Sequence, residues 1–270
     1  YWIITLIVLC FFLVIPGFAN AQDLSLGKII LSLLLIPQND KPILDVGWTL
    51  VYEMYFYVLF SIAIWFKPKQ SVPILLAWLL ITLLHFSKVI QFPDTFFLLN
   101  LVFGNMNLEF VLGGLAAYIV IKYNKKITNY RWILFGIANL GYLILAILVA
   151  WGNIEFDRIK TFAVLAALLI VAASSIDLKD SPRIPALFIF LGDASYSIFL
   201  LHSPVISAST KFVQKANLGK YFDGFFAPAL VALFAVVVGC IFYSLIEKPL
   251  TVYLRKNIVE KMFLPKAHVS

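Results

Sequence analysis

Charge is what this chain has least of. Asp, Glu, Lys and Arg make up only 13% of its 270 residues, against 62% hydrophobic. A soluble domain carries about a quarter charged residues, so this composition cannot coat a water-facing surface. Cysteine is also sparse. Cys10 and Cys240 both fall inside apolar runs, which excludes a disulfide framework or metal-ligand spacing and reads as packing. The chain has no Gly-x-Ser-x-Gly elbow, no glycine-rich phosphate loop and no His-Glu-x-x-His or Cys-x-x-Cys pair, so none of the chemistries tied to those motifs is indicated. No internal repeat, low-complexity tract or soluble-domain boundary interrupts it. No basic helix or aromatic platform points to nucleic acid, and the opening Tyr1-Trp2-Ile3 is not read as a signal peptide.

What remains is an all-α, polytopic transmembrane helical bundle, with a mean hydropathy of +0.96. Apolar runs divided by charged or Pro/Gly-containing breaks predict about eight spans, over roughly 1–16, 48–66, 72–90, 96–121, 131–151, 160–176, 186–208 and 225–247. The segment 24–37 is too short to cross and predicts an interfacial helix ending at Pro37. With residues 17–47 placed outside, the inner loops 67–71, 122–130 and 177–185, the tail from 248 and Arg131 at its helix end hold most of the 21 basic residues. The positive-inside rule favours this orientation, although Lys211, Lys215 and Lys220 in the outer segment 209–224 run against it. The whole chain is expected to form one membrane domain, with residues from about 248 to 270 as a cytoplasmic tail.

Against that background, Glu53 stands out. It lies in the apolar, aromatic-rich run from Gly47-Trp48-Thr49 to Phe60. A carboxylate at membrane depth costs roughly 3 kcal/mol on insertion scales and is a functional-site hypothesis by default. Thr49, Glu53, Phe56, Tyr57 and Phe60 share one helix face. The competing reading is an interfacial carboxylate, with Trp48, Tyr52, Tyr55 and Tyr57 as an aromatic belt.

His202 ends a second polar stretch, with Ser195, Ile198 and Phe199 on its face. Ser195 and His202 stand about 10 Å apart along a helix axis, so they are not a Ser–His nucleophile pair. A packing histidine satisfied by a carbonyl or hydroxyl competes with a base, or an orienting partner for one. Glu53 lies about 8 Å from the outer end of its span and His202 about six residues from its own. The two are therefore predicted to share a depth and line one cavity. Glu109 shares a face with Asn105 and Gly113, either as an interhelical contact or lining a cavity. Gly113, Gly114, Ala116 and Ala117 predict close helix approach there. Glu247, taken alone, reads as interfacial and His85 as structural, and Asp193 is predicted to cap the helix that follows it.

Three stretches together resemble acyltransferase family 3, the bacterial integral membrane acyltransferases. Trp48-Thr49-Leu50 through Glu53 to Phe56-Tyr57 resembles that family's Trp-Ser-Leu-x-x-Glu-x-x-Phe-Tyr-Leu block, with Thr49 for Ser and Val58 for Leu. Ser195-Tyr196-Ser197-Ile198-Phe199-Leu200-Leu201-His202 is similar to its Ser-Tyr-x-x-Tyr-Leu-x-His block, with Phe199 for Tyr. Glu247-Lys248-Pro249 resembles its closing Glu-Lys/Arg-Pro, and Glu109-Phe110-Val111-Leu112-Gly113 resembles a weaker Phe-x-x-Gly pattern. The order and spacing of these stretches cover almost the whole chain.

The resemblance implies transfer of an acyl group, often acetyl from acetyl-CoA, to a hydroxyl of a glycan or lipid-linked sugar. The setting would be the bacterial cytoplasmic (inner) membrane. The acyl-CoA is then a co-substrate supplied from the cytoplasm, and no permanently bound cofactor or metal is expected. Glu53 and His202 become candidate catalytic residues, and Trp48, Tyr57, Ser195 and Glu109 candidate substrate contacts. Family members generally carry about ten spans, the first holding a histidine thought central to acyl transfer. Tyr1-Trp2 resembles the start of the family's third span, so the chain is expected to lack the first two, and no residue here takes that histidine's role. The alternatives are a proton- or ion-coupled transporter or channel using Glu53, Glu109 and His202 as a relay, and a catalytically inactive membrane domain.

Overall fold

The computed structural model describes residues 1–14, 25–93, 95–152, 158–216 and 226–263. Every regular element among them is helical. The helices are α1 (Trp2–Val14), α2 (Leu26–Leu33), α3 (Gly47–Trp65), α4 (Pro68–Phe86), α5 (Phe97–Val102), α6 (Asn107–Ile127), α7 (Arg131–Ala150), α8 (Val164–Asp180), α9 (Ala186–Asp193), α10 (Ser195–Lys215), α11 (Phe226–Phe242), α12 (Lys248–Leu254) and α13 (Glu260–Phe263). Long runs of apolar side chains face outward, among them Leu76, Leu80 and Leu83 on α4 and Leu140, Leu143 and Ile147 on α7. Only lipid can solvate such a surface around helices whose own backbone groups are paired.

Four helical stretches among the described residues are long and apolar enough to cross a bilayer: Gly47–Trp65, Pro68–Phe86, Phe97–Ala150 and Ala227–Ile258. The bent pair α9–α10 makes a fifth. At 1.5 Å per residue the run Phe97–Ala150 is far longer than one crossing. Within it α6 and α7 each pack against α8. The fold is that of an all-α, multi-pass membrane protein. Packing divides it into two compact units, Tyr1–Val51 with Ile184–Ser270, and Tyr52–Arg183.

In the first unit, the segment after α2 departs from the expected interfacial helix. Ser25 caps α2, its Oγ accepting the Lys28 N–H at 3.3 Å. The helix stops at Leu33, short of Pro37, and Leu35 takes a left-handed φ of 53°. The chain then runs inward: Pro42–Leu44, Val46 and Gly47 are buried. Ile43, Leu44, Val46 and Leu50 join Ile4 and Val8 of α1 and Leu200 and Leu201 of α10 in one core. Non-helical backbone inside a membrane protein needs side-chain partners, and Ser32 supplies them. It is fully buried. Its carbonyl accepts Tyr1 O–H at 2.6 Å, and its Oγ accepts Ile43 N–H at 3.1 Å and the Gln38 amide at 3.4 Å. Trp2 donates its indole N–H to the Leu33 carbonyl at 2.7 Å.

Two other expectations for this unit are corrected. The span 186–208 is not straight, because α9 and α10 meet at a 65° bend. Asp193 does not cap α10. Ala194 holds the cap position without a side-chain bond, and Asp193 is exposed as the last residue of α9. Backbone bonds from Ala194 N–H to Phe190 O at 2.9 Å and from Ile198 N–H to Ala194 O at 3.0 Å run almost continuously across the bend. The last helix also continues past Lys248-Pro249. π turns at Tyr243–Glu247 and Arg255–Val259 absorb the register change on either side of α12.

In the second unit, the expected span 96–121 is broken between α5 and α6. Asn107, fully buried, holds the break together. Its amide donates to the carbonyls of Leu101, Val102 and Gly104 at 3.0, 3.1 and 3.0 Å. The Val102 carbonyl also accepts Trp78 N–H at 2.8 Å and Tyr55 O–H at 3.4 Å. At the other end of the unit Arg131 grips Asp180 bidentately, with Nε–Oδ2 2.8 Å and Nη2–Oδ1 2.7 Å. Trp132 adds a donor to the same carboxylate at 3.1 Å, tying the start of α7 to the end of α8. Gly141 lets the helices close, since a Cβ there would meet Leu165 at 3.0 Å. Gly113 and Gly114 were expected to do the same and do not. Nothing lies within 4 Å of a Cβ at either position.

Candidate functional site

The candidate residues fall in both units. Trp48, Ser195 and His202 belong to the first, and Glu53, Tyr57 and Glu109 to the second.

On α3, the i, i+4 spacing of Glu53 and Tyr57 becomes a direct contact. Tyr57 Oη donates to Glu53 Oε1. Its proton is thereby committed to the carboxylate, so Tyr57 orients Glu53. One turn along, Phe56 stacks on Phe110 of α6, with ring centroids 4.1 Å apart and planes 8° from parallel. The stack joins the helix of Glu53 to that of Glu109. Glu109 sits in the first turn of α6, where the helix dipole favours a carboxylate. It lines a cavity of about 320 Å³ with Gly113, Tyr142, Phe162, Ala166 and Ile170. The missing side chain at Gly113 keeps this space open. Tyr142, which the sequence did not single out, donates to the Phe162 carbonyl at 3.3 Å.

On α10, His202 is half-buried, and its Nδ1 lies 2.6 Å from the Phe199 carbonyl. A carbonyl only accepts, so Nδ1 carries a proton, and in the neutral ring Nε2 is then the nitrogen with the free lone pair. The imidazole is thus held by a backbone carbonyl and still presents a base. Ser195, seven residues earlier, is exposed. Trp48 is half-buried where the inward-running segment enters α3, and Thr49 beside it donates to the Val46 carbonyl at 2.8 Å.

Sequence reasoning missed the contact between Ser197 and Glu247. Ser197 is fully buried, and its hydroxyl donates to Glu247 Oε2. Both residues were in view as members of separate stretches. No local pattern pairs positions fifty residues apart. Among the described residues no group of three or more His, Cys, Asp or Glu side chains is placed to hold a metal ion.

Comparison with known proteins adds the chemistry. The family model described as an acyltransferase domain (acyltransferase family 3) matches residues 1–246. The exopolysaccharide production protein ExoZ of Rhizobium meliloti (strain 1021) is 29% identical over 236 residues, covering 84% of this chain and 70% of that protein. No solved structure matches. A match running through the Glu53, Glu109 and His202 stretches on a multi-pass helical fold settles the class: the chain belongs to acyltransferase family 3 and is a membrane acyltransferase.

Proposed function

We propose that the protein moves an acyl group, in the first instance acetyl, from a cytoplasmic acyl-CoA to a hydroxyl of a polysaccharide or its lipid-linked sugar precursor. The proposed setting is the bacterial cytoplasmic membrane. Similarity to an exopolysaccharide production protein supports the acceptor class. The observation that carries the chemistry is the Nδ1–H bond of His202 to the Phe199 carbonyl, because it makes Nε2 the basic nitrogen of the neutral ring.

In this reading His202 Nε2, a group separate from the family's first-span histidine, takes the proton of the acceptor hydroxyl as its oxygen attacks the thioester carbonyl. The C–S bond then breaks, and the departing thiolate recovers that proton. Glu53, aimed by Tyr57, accepts a hydrogen bond from an acceptor hydroxyl. Trp48 offers a ring to a sugar face. Ser195 and Glu109 contact the substrate away from the reacting hydroxyl.

The test uses the full-length protein in lipid nanodiscs with labelled acetyl-CoA and polysaccharide acceptors. His202→Ala is expected to lower kcat by 10²–10⁴-fold, the usual range for a general base. Glu53→Gln is expected to raise the acceptor KM by about tenfold, the worth of one charged hydrogen bond. Wild-type kinetics in both folded variants would overturn the assignment.

A further inference from the structure

Three stretches carry the resemblance, and the mechanism above uses two of them. We propose that the third acts through the second: Glu247 is a positioning residue of acyl transfer that holds α10, and with it the His202 base, through Ser197.

The geometry is local and complete. Ser197 Oγ, without solvent, donates to the Glu247 carboxylate. A hydroxyl–carboxylate bond of this kind is charge-assisted and stronger than a neutral one. One residue on, the backbone of Ile198 rests against Gly239 of α11, so closely that a Cβ there would lie 2.6 Å from Ile198 Cα. Adjacent residues of α10 are thus fixed to a single partner helix. One contact restrains rotation about the α10 axis and the other restrains distance from α11.

Glu247 reaches Ser197 from the π turn Tyr243–Glu247. A π turn adds one residue to the helical ladder, which swings the following positions by about 100° around the axis. Without that extra residue the carboxylate would face elsewhere.

His202 inherits this setting. It stands one turn beyond Ile198 on the same face, about 7.5 Å along the axis from Ser197. Its Nδ1 bonds to the Phe199 carbonyl, on its own helix. The direction of Nε2 therefore follows the rotation of α10, which the pins at Ser197 and Ile198 set together with the buried Leu200 and Leu201. Glu247 is bonded to Ser197, five residues before His202 on α10, which assigns it the part of a positioning group and not of the base. A reacting atom misplaced by about 1 Å can cost 10²-fold in rate, so a modest turn of α10 would suffice to silence the enzyme.

The inference rests on His202 being the base, and the experiment separates the two. The full-length protein in nanodiscs is prepared as Glu247→Ala, Glu247→Gln, Ser197→Ala and the Ser197→Ala/Glu247→Ala double variant, beside His202→Ala. Glu247→Gln keeps an acceptor oxygen for Ser197 and is expected to stay near wild type. Glu247→Ala and Ser197→Ala are expected to lose kcat by on the order of 10²-fold with KM little changed. The double variant should be no worse than either single one, and the pH midpoint of the residual activity should not move. A readout independent of turnover is the reaction of a His202→Cys thiol with a polar alkylating reagent. Its rate should change by about tenfold on adding Glu247→Ala and stay constant on adding Glu247→Gln.

Full activity in Glu247→Ala, additive losses in the double variant, or an unchanged thiol rate would overturn the proposal. So would Glu247→Gln proving as damaging as Glu247→Ala while abolishing a limb of the pH profile, which would make Glu247 a proton-transfer group. An active His202→Ala overturns the base assignment alone, and the thiol rates still decide whether Glu247 sets α10.

Discussion

The two units solve the same problem by different means. In lipid, apolar side chains gain little by leaving the solvent, so helices are held by close packing and by hydrogen bonds. The first unit relies on buried hydroxyls. Ser32 gathers Tyr1, Gln38 and Ile43, and Ser197 meets Glu247. The second also buries hydroxyls, but those of Ser71 and Thr82 bond carbonyls within eight residues of themselves, and its long-range polar bonds sit at helix breaks and ends, at Asn107 and at Arg131–Asp180. It packs Gly141 under Leu165 and leaves a cavity beside Gly113 and Glu109. Buried hydroxyls specify one arrangement, whereas small residues permit closeness or space according to their neighbours.

The sharpest way to break this contrast uses two glycines. Gly239→Ala forces a methyl into the backbone of Ile198 and should destabilise the protein by about 1–3 kcal/mol. Gly113→Ala meets nothing within 4 Å and should stabilise α6 by up to ~1 kcal/mol through helix propensity. Thermal unfolding in detergent, followed by a thiol-reactive dye, reads both. Equal shifts would contradict the close contact at Gly239 and the open space at Gly113.

Ser32→Ala comes next. It leaves the buried Ile43 N–H without its acceptor and should cost about 1–2 kcal/mol. The same assay applies, with Ser87→Ala, an exposed serine bonded to its own helix, as the near-neutral control.

The smallest effect belongs to the ion pair of the second unit. Hydrogen bonds from Arg131, then its charge and a bond from Trp132, hold the Asp180 carboxyl below its ordinary 3.8. A depressed native pKa contributes stability that is present above the unfolded value and lost as pH falls through the native one. The melting difference between wild type and Asp180→Asn should therefore be flat from neutral pH to about 4 and shrink below it. A gap that widened on acidification would contradict the pairing.

Much of this was legible wherever the partners lie within a turn of each other. The i, i+4 spacing put Glu53 and Tyr57 on one face, where they bond, and a backbone carbonyl was among the partners expected for His202. The mean composition was enough to give helices in lipid. The breaks were not legible. The 103–106 interruption contains no proline, and it persists because Asn107, Trp78 and Tyr55 satisfy the carbonyls it frees. The inward run after α2 likewise depends on a serine whose two oxygen atoms serve three donors from distant positions. Asp193 failed as a cap because it ends α9, and Ala194 takes the cap position of α10. In the first two cases a tertiary partner outweighed the local pattern.

The buried stretch from Ile43 to Val46 also imposes an order on biosynthesis. Half its cover, Ile4 and Val8, is made before it, but Leu200 and Leu201 come some 150 residues later. At five to twenty residues per second the ribosome needs roughly 8 to 30 s to reach them. For that interval a non-helical segment stands half-clothed inside the membrane or at its edge. Completion of this unit is therefore a post-insertion event, timed by the arrival of α10 and not by the segment's own synthesis.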